Sequence, residues 1–319
     1  MQLEVNLDES KQCWDLFVKN STHRSIFVDS RFLDSLRTPY RLITFYERDE
    51  VVAGAPIFMD VNGVPFRTGH PFSQYQGILL ADDRSRNRQK QIKRSFDLCS
   101  AAVEILCATF DAVTLTQHWR FEDMRPFLWH NYHQAERGTF LTNLRYSAVL
   151  NLREFDTFDE YMMHVRTVRR QEFRKAAVKL EIADASASVI DELHSQTFSR
   201  QGQARGHEEA NLVQSIVQNA LDLGYGEACC AYSNGVPIAV VFFVFDDRTA
   251  FYLIAGNSPR ARETHAGTLA LMTMIRRSFE RGLDEVDFVG VNSPNRGDYK
   301  LSYGPQLRPY YEARWLRPL

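Results

Sequence analysis

Three apolar segments rich in β-branched and aromatic residues follow one another closely in the second half of the chain, and they constrain the fold more than any other feature. They read EACCAYS, PIAVVFFVF and TAFYLIAGN, and the turn-forming sequences NGVP and DDR connect them. Strand-like segments joined by such short turns predict a meander of antiparallel strands. A helical segment, TLALMTMIRRSFERG, and a further strand, DEVDFVGVN, come next. This order predicts a mixed α/β domain.

The first half of the chain predicts a second domain with a similar order of elements. Two helical segments precede the strands YRLITFYER and VVAGAPIFMD, and the helix FDLCSAAVEILCATF leads into the strand DAVTLTQHW. We place the boundary near residue 150, before a long helix in FDTFDEYMMHVRTVRRQEFRKAAVKL, and predict domains 1–150 and 151–319. Helical spacing gives that helix one buried stripe, formed by Phe158, Met162, Val165, Phe173 and Ala176.

Composition excludes several classes of protein. The chain has 319 residues, 44% of them hydrophobic and 24% charged, which fits two globular domains. A net charge of -2 gives no global basic field that would attract a polyanion. The five cysteines lack CxxC spacing, which argues against a disulfide framework and favours a reducing compartment. With no signal sequence and no apolar run long enough to span a bilayer, we expect a soluble cytoplasmic protein.

No standard motif for metal or nucleophilic catalysis is present in the sequence. The chain has no G-x-S-x-G, no HExxH and no Walker loop, and its histidines are scattered without metal-ligand spacing. We therefore expect no metal.

The loop SPRARETHAG between TAFYLIAGN and the following helix has the layout of an anion-binding site. The first N–H groups of a helix lack intrahelical partners and carry the positive end of the dipole, so Thr264 to Thr268 would face an anion. Ala266 and Gly267 would let a ligand approach closely, and Arg260 and Arg262 would add charge-assisted hydrogen bonds. The alternative is that Thr264 caps the helix and the arginines are solvated.

The order of four segments, YLIAGNSP, THAGTLALMTMIRRSFERG, VDFVGVN and YKLSYGP, resembles the second domain of FemAB-like proteins and related GNAT acyltransferases. VRRQEFRKA and SQYQGILL also look like that group, so the resemblance covers nearly the whole chain. It implies two GNAT-like domains in tandem, each a mixed, mostly antiparallel sheet flanked by helices. It also implies an N-acyltransferase in which donor and amine acceptor meet where TAFYLIAGN and VDFVGVN diverge.

The donor that the resemblance implies first is acyl-CoA, as in an acetyltransferase. Its pantetheine arm would pair with the exposed strand edge while its pyrophosphate rests on the helix N-terminus. The phosphate loop departs from the compact Q/R-x-x-G-x-G/A pattern, because RARETHAG is longer and contains one glycine. An aminoacyl-tRNA donor, as in FemAB-type peptidyltransferases, is therefore the alternative. A third hypothesis is a non-catalytic binding protein of the same fold.

The resemblance also implies site residues. Asp287 would be the general base, with a pKa raised by its apolar strand, and Lys300, beside Tyr303, would stabilise the oxyanion or hold a phosphate. The alternatives are a structural aspartate bonded to backbone and a solvated lysine. The predicted donor-binding residues are Tyr252, Asn257, Arg260, Arg262, Thr264, His265, Ala266, Gly267 and Thr268.

Acceptor and tRNA contacts complete the predictions. Gln74 and Tyr75 are expected to face the cleft between the predicted domains, and a polar loop is expected to contact the acceptor, unless it is a plain surface loop. The predicted substrate-binding residues are Gln74, Tyr75, Arg200, Gln201, His207 and Asn292. The basic run RTVRRQEFRK would bind tRNA phosphates through Arg169, Arg170 and Arg174. The alternative is that it is a cationic face exposed to solvent.

Overall fold

The structure, a computed structural model, describes residues 2–83, 85–200, 202 and 205–318. Contacts divide the chain into two compact units, one formed by Met1–Arg145 with Pro309–Leu319 and the other by Tyr146–Arg308. The predicted domains 1–150 and 151–319 stay a prediction, because a compact unit is defined by contacts whereas a domain is defined by independent folding.

The strands and helices are numbered in chain order. The strands are β1 (Glu4–Asn6), β2 (Tyr40–Glu47), β3 (Glu50–Phe58), β4 (Leu79–Leu80), β5 (Ala112–Thr116), β6 (Leu141–Asn151), β7 (Glu181–Asp184), β8 (Gly226–Ser233), β9 (Val236–Phe245), β10 (Thr249–Asn257), β11 (Glu285–Asp287) and β12 (Gln306–Leu316). The helices are α1 (Lys11–Lys19), α2 (Ser30–Ser35), α3 (Arg88–Thr109), α4 (Arg125–Leu128), α5 (Phe158–His164), α6 (Thr167–Lys179), α7 (Ala187–Arg200), α8 (His207–Asp222), α9 (Ala261–Thr264), α10 (Ala266–Glu280) and α11 (Pro294–Leu301).

The first unit is built on antiparallel pairing. Strands β1, β2, β3 and β4 pair in that order, and β5 pairs with the end of β12 through residues such as Leu115 and Ala313. The apolar face of α3 packs on this framework and buries Leu98, Val103 and Leu106. Burial of such side chains, at about 1.5–3 kcal/mol each, supplies the main driving force for folding this unit.

The second unit contains a sheet with the strand order β6-β11-β10-β9-β8-β7. All its neighbours are antiparallel except β10 and β11, which are parallel. Phe243 and Tyr252 lie in one core with α10, whereas the ring of Phe242 lies close to Ala220 of α8 and Gly226. Because successive residues of a strand face opposite sides, α10 and α8 cover opposite faces of this sheet.

The predicted fold class, a mixed α/β protein with two sheets and flanking helices, is confirmed. The predicted meander is observed as β8, β9 and β10. The predicted stripe of the helix near residue 160 is also observed, since Met162, Val165 and Ala176 are buried and both phenylalanines pack against the core.

Two predicted elements are wrong. The long helix after residue 155 is interrupted between α5 and α6, because Val165 is extended and the backbone N–H of Arg166 donates to Ser302 O instead of continuing the helix. The predicted strand DEVDFVGVN is regular only in β11, and helix α11 follows it. In the part of the chain that the structure describes, no helix is long and apolar enough to span a membrane.

Candidate active site

Strands β10 and β11 part soon after they meet. They pair in parallel only from Thr249 to Phe251 and from Glu285 to Asp287. Beyond this point β10 has a bulge between Tyr252 and Ile254 but stays paired with β9 up to Asn257. A bulge bends its strand and increases the local twist, so it turns β10 away from β11. We call the opening between residues 252–257 and 288–291 the fork.

The turn that leads β11 away from the fork is strained. Val289 has φ 49°, a left-handed conformation that is unfavourable for a β-branched residue. Asp287 stabilises this turn, because its carboxylate accepts a hydrogen bond from the backbone N–H of Val289 at 2.7 Å. The same carboxylate accepts a hydrogen bond from Ser147 Oγ.

Lys300 of α11 carries a positive charge into the fork. Its Nζ donates to Phe288 O at 2.6 Å and to Gly290 O at 3.1 Å, the carbonyls on either side of the strained turn. Nζ also lies 5.4 Å from the centroid of the Tyr252 ring on β10. The ammonium group therefore lies where the two strands separate.

A chain of hydroxyl groups runs from the core below the fork toward the first turn of α10. Tyr303 Oη lies 2.8 Å from Tyr299 Oη and 3.4 Å from Thr268 Oγ1, so its single proton can go to either. Thr268 Oγ1 donates to Glu172 Oε2 at 2.8 Å. Burial raises the pKa of Tyr299 and holds the pKa of Tyr303 well above its ordinary value. Both tyrosines are therefore protonated at neutral pH.

A cavity of about 330 Å³ opens at the N-terminus of α10. His265, the residue before the helix, adopts φ 58°, and no side chain caps the helix there. A Cβ added to Gly267 would lie 2.9 Å from Asn257 Oδ1, so glycine lets the helix approach β10 closely. The cavity is lined by Arg169, Glu172, Asn257, Ala261, Arg262, His265, Gly267, Thr268 and Tyr299.

The cavity contains a half-buried ion pair. Arg169 Nη1 lies 2.7 Å from Glu172 Oε2, and the two side chains are only 18% and 15% exposed. The Arg169 guanidinium also stacks over the Tyr299 ring at 4.8 Å, and its Nε donates to Ser302 Oγ. Glu172 Oε1 lies 3.8 Å from His265 Nδ1.

Five of the predicted donor-binding residues line this cavity together, and the other four do not. Tyr252 has a buried ring at the fork, Arg260 is exposed, and Ala266 is fully buried. Thr264 does not cap α10, because its hydroxyl donates to carbonyls of Arg260 and Ala261. The five that line the cavity are Asn257, Arg262, His265, Gly267 and Thr268.

The predicted catalytic residues are placed differently from one another. Lys300 is at the fork, and the ring of Tyr303 stacks on Phe288. Asp287 is fully buried and is not among the residues that line the cavity. Since Val286 and Phe288 lie in the core shared with α10, the intervening Asp287 faces the other side of the sheet. Its role as a general base stays a prediction.

The four predicted substrate-binding residues whose side chains the structure describes do not line the cavity. Gln74 donates to Tyr310 Oη, and Tyr75 is 1% exposed among the aromatic side chains of the first unit. Asn292 exchanges two hydrogen bonds with the backbone of Tyr146, and His207 is exposed at the start of α8. Gln201 and the side chain of Arg200 lie outside the described residues.

The three arginines of α6 that are predicted to contact tRNA differ in exposure, since only Arg174 is exposed. Arg170 Nη2 donates to Thr167 Oγ1. Arg169 instead lines the cavity with Glu172. Sequence reasoning missed Glu172 and Tyr299, although Glu172 is the one acidic residue in the run RTVRRQEFRK and Tyr299 lies four residues before Tyr303.

Among the described residues, no group of three or more His, Cys, Asp or Glu side chains is arranged to hold a metal ion. A larger cavity of about 1060 Å³ lies along α3 in the first unit, and none of the predicted site residues lines it.

Comparisons with known proteins agree with this geometry. Residues 162–301 match the family model described as "Acetyltransferase (GNAT) domain". No curated protein sequence matches the chain. The fold resembles the crystal structure of FemX, with a TM-score of 0.70 at 13% identity, covering 98% of this chain and 97% of that one.

Two further solved structures have the same fold over most of their length. The first is L-PGS from Bacillus licheniformis, with a TM-score of 0.56 at 14% identity, covering 98% of this chain and 93% of that one. The second is a tandem GNAT protein from the clavulanic acid biosynthesis pathway, with a TM-score of 0.55 at 10% identity, covering 100% and 99%. At these identities the likeness shows the fold, and it confirms the predicted tandem GNAT-like architecture.

Proposed function

We propose that this chain is an acyltransferase that moves an acyl group from a thioester or ester donor to an amine at the fork, since residues 162–301 match the GNAT acetyltransferase family model. The observation that carries the proposal is the early separation of β10 and β11 beside the N-terminus of α10. A strand edge without a neighbour binds an extended ligand through backbone hydrogen bonds. Residues 253–256 of β10, beyond the pairing with β11, suit the extended arm of an acyl donor.

The chemical step is direct attack in a ternary complex. The neutral amine attacks the acyl carbonyl, a C–N bond forms, and the carbonyl oxygen becomes an oxyanion. The Lys300 ammonium, which lies 5.4 Å from the Tyr252 ring, supplies positive charge where this oxyanion develops. The backbone at the bulge of β10 is the second candidate for oxyanion stabilisation.

Collapse of the tetrahedral intermediate breaks the C–S or C–O bond of the donor. The leaving group then takes a proton, for which the candidate donor is the hydroxyl of Tyr299, a lining residue of the cavity that accepts a hydrogen bond from Tyr303. The proton released by the amine goes to a base, for which Asp287 is the sequence-based proposal.

Acyl-CoA is the first donor that we propose. Its pantetheine arm would follow β10, and its pyrophosphate would meet the first turn of α10, where Arg262 adds an exposed positive charge. An aminoacyl-tRNA donor is the second candidate. It is favoured by Glu172, whose carboxylate already accepts a hydrogen bond from Thr268 in that first turn.

Ligand-dependent thermal unfolding tests the function. A donor that binds only the native state stabilises it by about 2.7 kcal/mol at one hundred times its Kd. We expect either a panel of acyl-CoA thioesters or aminoacylated tRNA to raise the unfolding temperature and to yield an N-acylated amine. For tRNA, binding should weaken with salt and with the charge reversals Arg170→Glu and Arg174→Glu. Failure of both donors to bind would contradict acyl transfer by this chain.

A further inference from the structure

We infer that Glu172 determines which donor binds. Its carboxylate occupies the position where a pyrophosphate would meet α10, and it makes the cavity a binding site for an ammonium group. This inference rests on the proposed function, because it concerns the ligand of the same cavity, and it places the acyl-CoA donor named first above behind the aminoacyl-tRNA donor. Neither the GNAT domain nor the fold comparisons assign a role to this residue.

The contacts of Glu172 place a negative charge at the tip of α10. Its Oε2 accepts hydrogen bonds from Thr268 Oγ1 at 2.8 Å and from Arg169 Nη1 at 2.7 Å. Thr268 belongs to the first turn of α10, whose N–H groups and dipole attract anions. The protein therefore supplies its own anion at the location that a phosphate would otherwise fill.

The charge balance of the cavity disfavours a pyrophosphate. Arg169 is paired with Glu172, which leaves His265 and the exposed Arg262 as the remaining basic lining residues. A carboxylate with 15% exposure is only partly screened by water. Repulsion between this carboxylate alone and a phosphate about 6 Å away, at an effective dielectric constant of about 20, corresponds to an affinity loss of about a hundredfold, of which the attraction of the paired Arg169 offsets a part.

The second carboxylate oxygen favours a ligand that donates hydrogen bonds. Glu172 Oε1 receives no hydrogen bond from the described residues, and His265 Nδ1 lies 3.8 Å from it. A carboxylate oxygen in a half-buried cavity binds an ammonium group through a charge-assisted hydrogen bond. That ammonium group belongs either to the acyl group of the donor or to the acceptor.

Binding measurements with Glu172→Gln test the inference without requiring turnover. Glutamine keeps the shape and removes the charge. We expect Glu172→Gln to bind CoA and inorganic pyrophosphate at least tenfold more tightly than the wild type. Glu263→Gln is the matched control, since Glu263 lies in the preceding helix α9, is exposed, and does not line the cavity. Its affinity for both anions should stay within twofold of the wild type.

A second set of probes tests whether the cavity binds an ammonium group. L-alaninamide carries an ammonium group next to a carbonyl, as an aminoacyl donor does, and ethylamine carries one without a carbonyl, as an acceptor does. We expect one of them to bind at least tenfold more weakly to Glu172→Gln, and the one affected identifies the source of the ammonium group. Propanamide, which lacks the charge, should bind both proteins equally.

The inference is overturned if Glu172→Gln leaves anion affinity unchanged or lowers it, if Glu263→Gln raises it equally, or if neither ammonium probe depends on Glu172. Glu172→Asp keeps the charge and separates this effect from a loss of folding, since it should retain the wild-type preference. Absence of acyl transfer by the wild type would contradict the proposed function and leave these binding ratios interpretable.

Discussion

The two units contain the same succession of strand, helix and strand but use it differently. In the second unit, β10, α10 and β11 leave a fork, because the two strands part after Phe251 and Asp287. In the described part of the first unit, contacts join the segment before β4 to the end of β5. Residue Gln76 bridges to Thr116 at the end of β5, and Gln117 Oε1 accepts a hydrogen bond from Ile78 N at 3.1 Å.

In the first unit, the side chain of Gln117 occupies the place that corresponds to the fork of the second unit. A Cβ added to Gly77 would lie 2.5 Å from Gln117 Oε1, so the amide packs directly against the backbone before β4. The helix tips differ as well. Asn87 caps α3 by accepting from Lys90 N, whereas no side chain caps α10. The side chains at the strand edge and at the helix N-terminus, rather than the order of elements, therefore decide whether there is room for a ligand.

The strongest test of this contrast is the replacement Lys300→Met. It removes the positive charge from the fork and leaves the carbonyls of Phe288 and Gly290 without that donor. We expect kcat/KM to fall by about 10²–10³-fold, as on loss of one oxyanion-stabilising group. Lys179→Met, at the exposed end of α6 and outside the run RTVRRQEFRK, is the matched control. Equal activity of the two variants, with unchanged thermal unfolding, would show that the fork is not the reaction site.

Acid should weaken the first unit by a mechanism that depends on its buried histidines. Burial lowers the pKa of His23 and of His70 to about 4 and holds the pKa of His118 well below its ordinary value. Unfolded histidine titrates near pH 6.5. The unfolded chain therefore binds more protons between pH 6.5 and 4. The contribution of these neutral histidines to stability is complete above pH 6.5 and falls as pH decreases, by about 3 kcal/mol for the buried His70.

The four tryptophans make this measurement selective. Trp14, Trp119, Trp129 and Trp315 all belong to the first unit, so tryptophan fluorescence reports its unfolding. We expect the urea midpoint from fluorescence to drop between pH 6.5 and 4. His118→Gln should flatten this dependence, and His207→Gln, at an exposed site, should not. A midpoint independent of pH in that range would contradict the burial of these histidines.

A smaller effect is expected from Gly77→Ala, which tests whether Gln117 fills the first unit. The new methyl group would lie 2.5 Å from Gln117 Oε1 and 2.8 Å from its Cα, so the clash involves backbone. Such overpacking lowers the free energy of unfolding by about 1–3 kcal/mol. Urea unfolding followed by far-ultraviolet circular dichroism, which reports both units, measures it. Gly206→Ala, with no atom within 4 Å of the added Cβ, should change stability by less than about 1 kcal/mol.

Local patterns in the sequence predicted the parts of the fold that depend on neighbouring residues. The alternation and turns around β8, β9 and β10 identified the meander, and the loop before α10 pointed to five residues that line one cavity. Each of these signals lies within a few residues of the chain. For the same reason, the tandem order of elements could be recognised without knowledge of any long-range contact.

Contacts between distant segments account for what the sequence could not show. The interruption between α5 and α6 depends on a hydrogen bond from Arg166 N to Ser302 O, more than a hundred residues away. The position of Glu172 beside Thr268 likewise depends on the packing of α6 against α10. No periodicity distinguishes Glu172 from a solvated acid on a basic helix.

The left-handed conformation of Val289 has a consequence for protein engineering. A β-branched residue in this region costs on the order of 1–3 kcal/mol, which asparagine or glycine would largely relieve. Selection for a larger free energy of unfolding alone would therefore replace this valine. Replacing Val289 is therefore the simplest route to a more thermostable protein. The same replacement would put at risk the position of Lys300, whose Nζ donates to the carbonyls on both sides of residue 289.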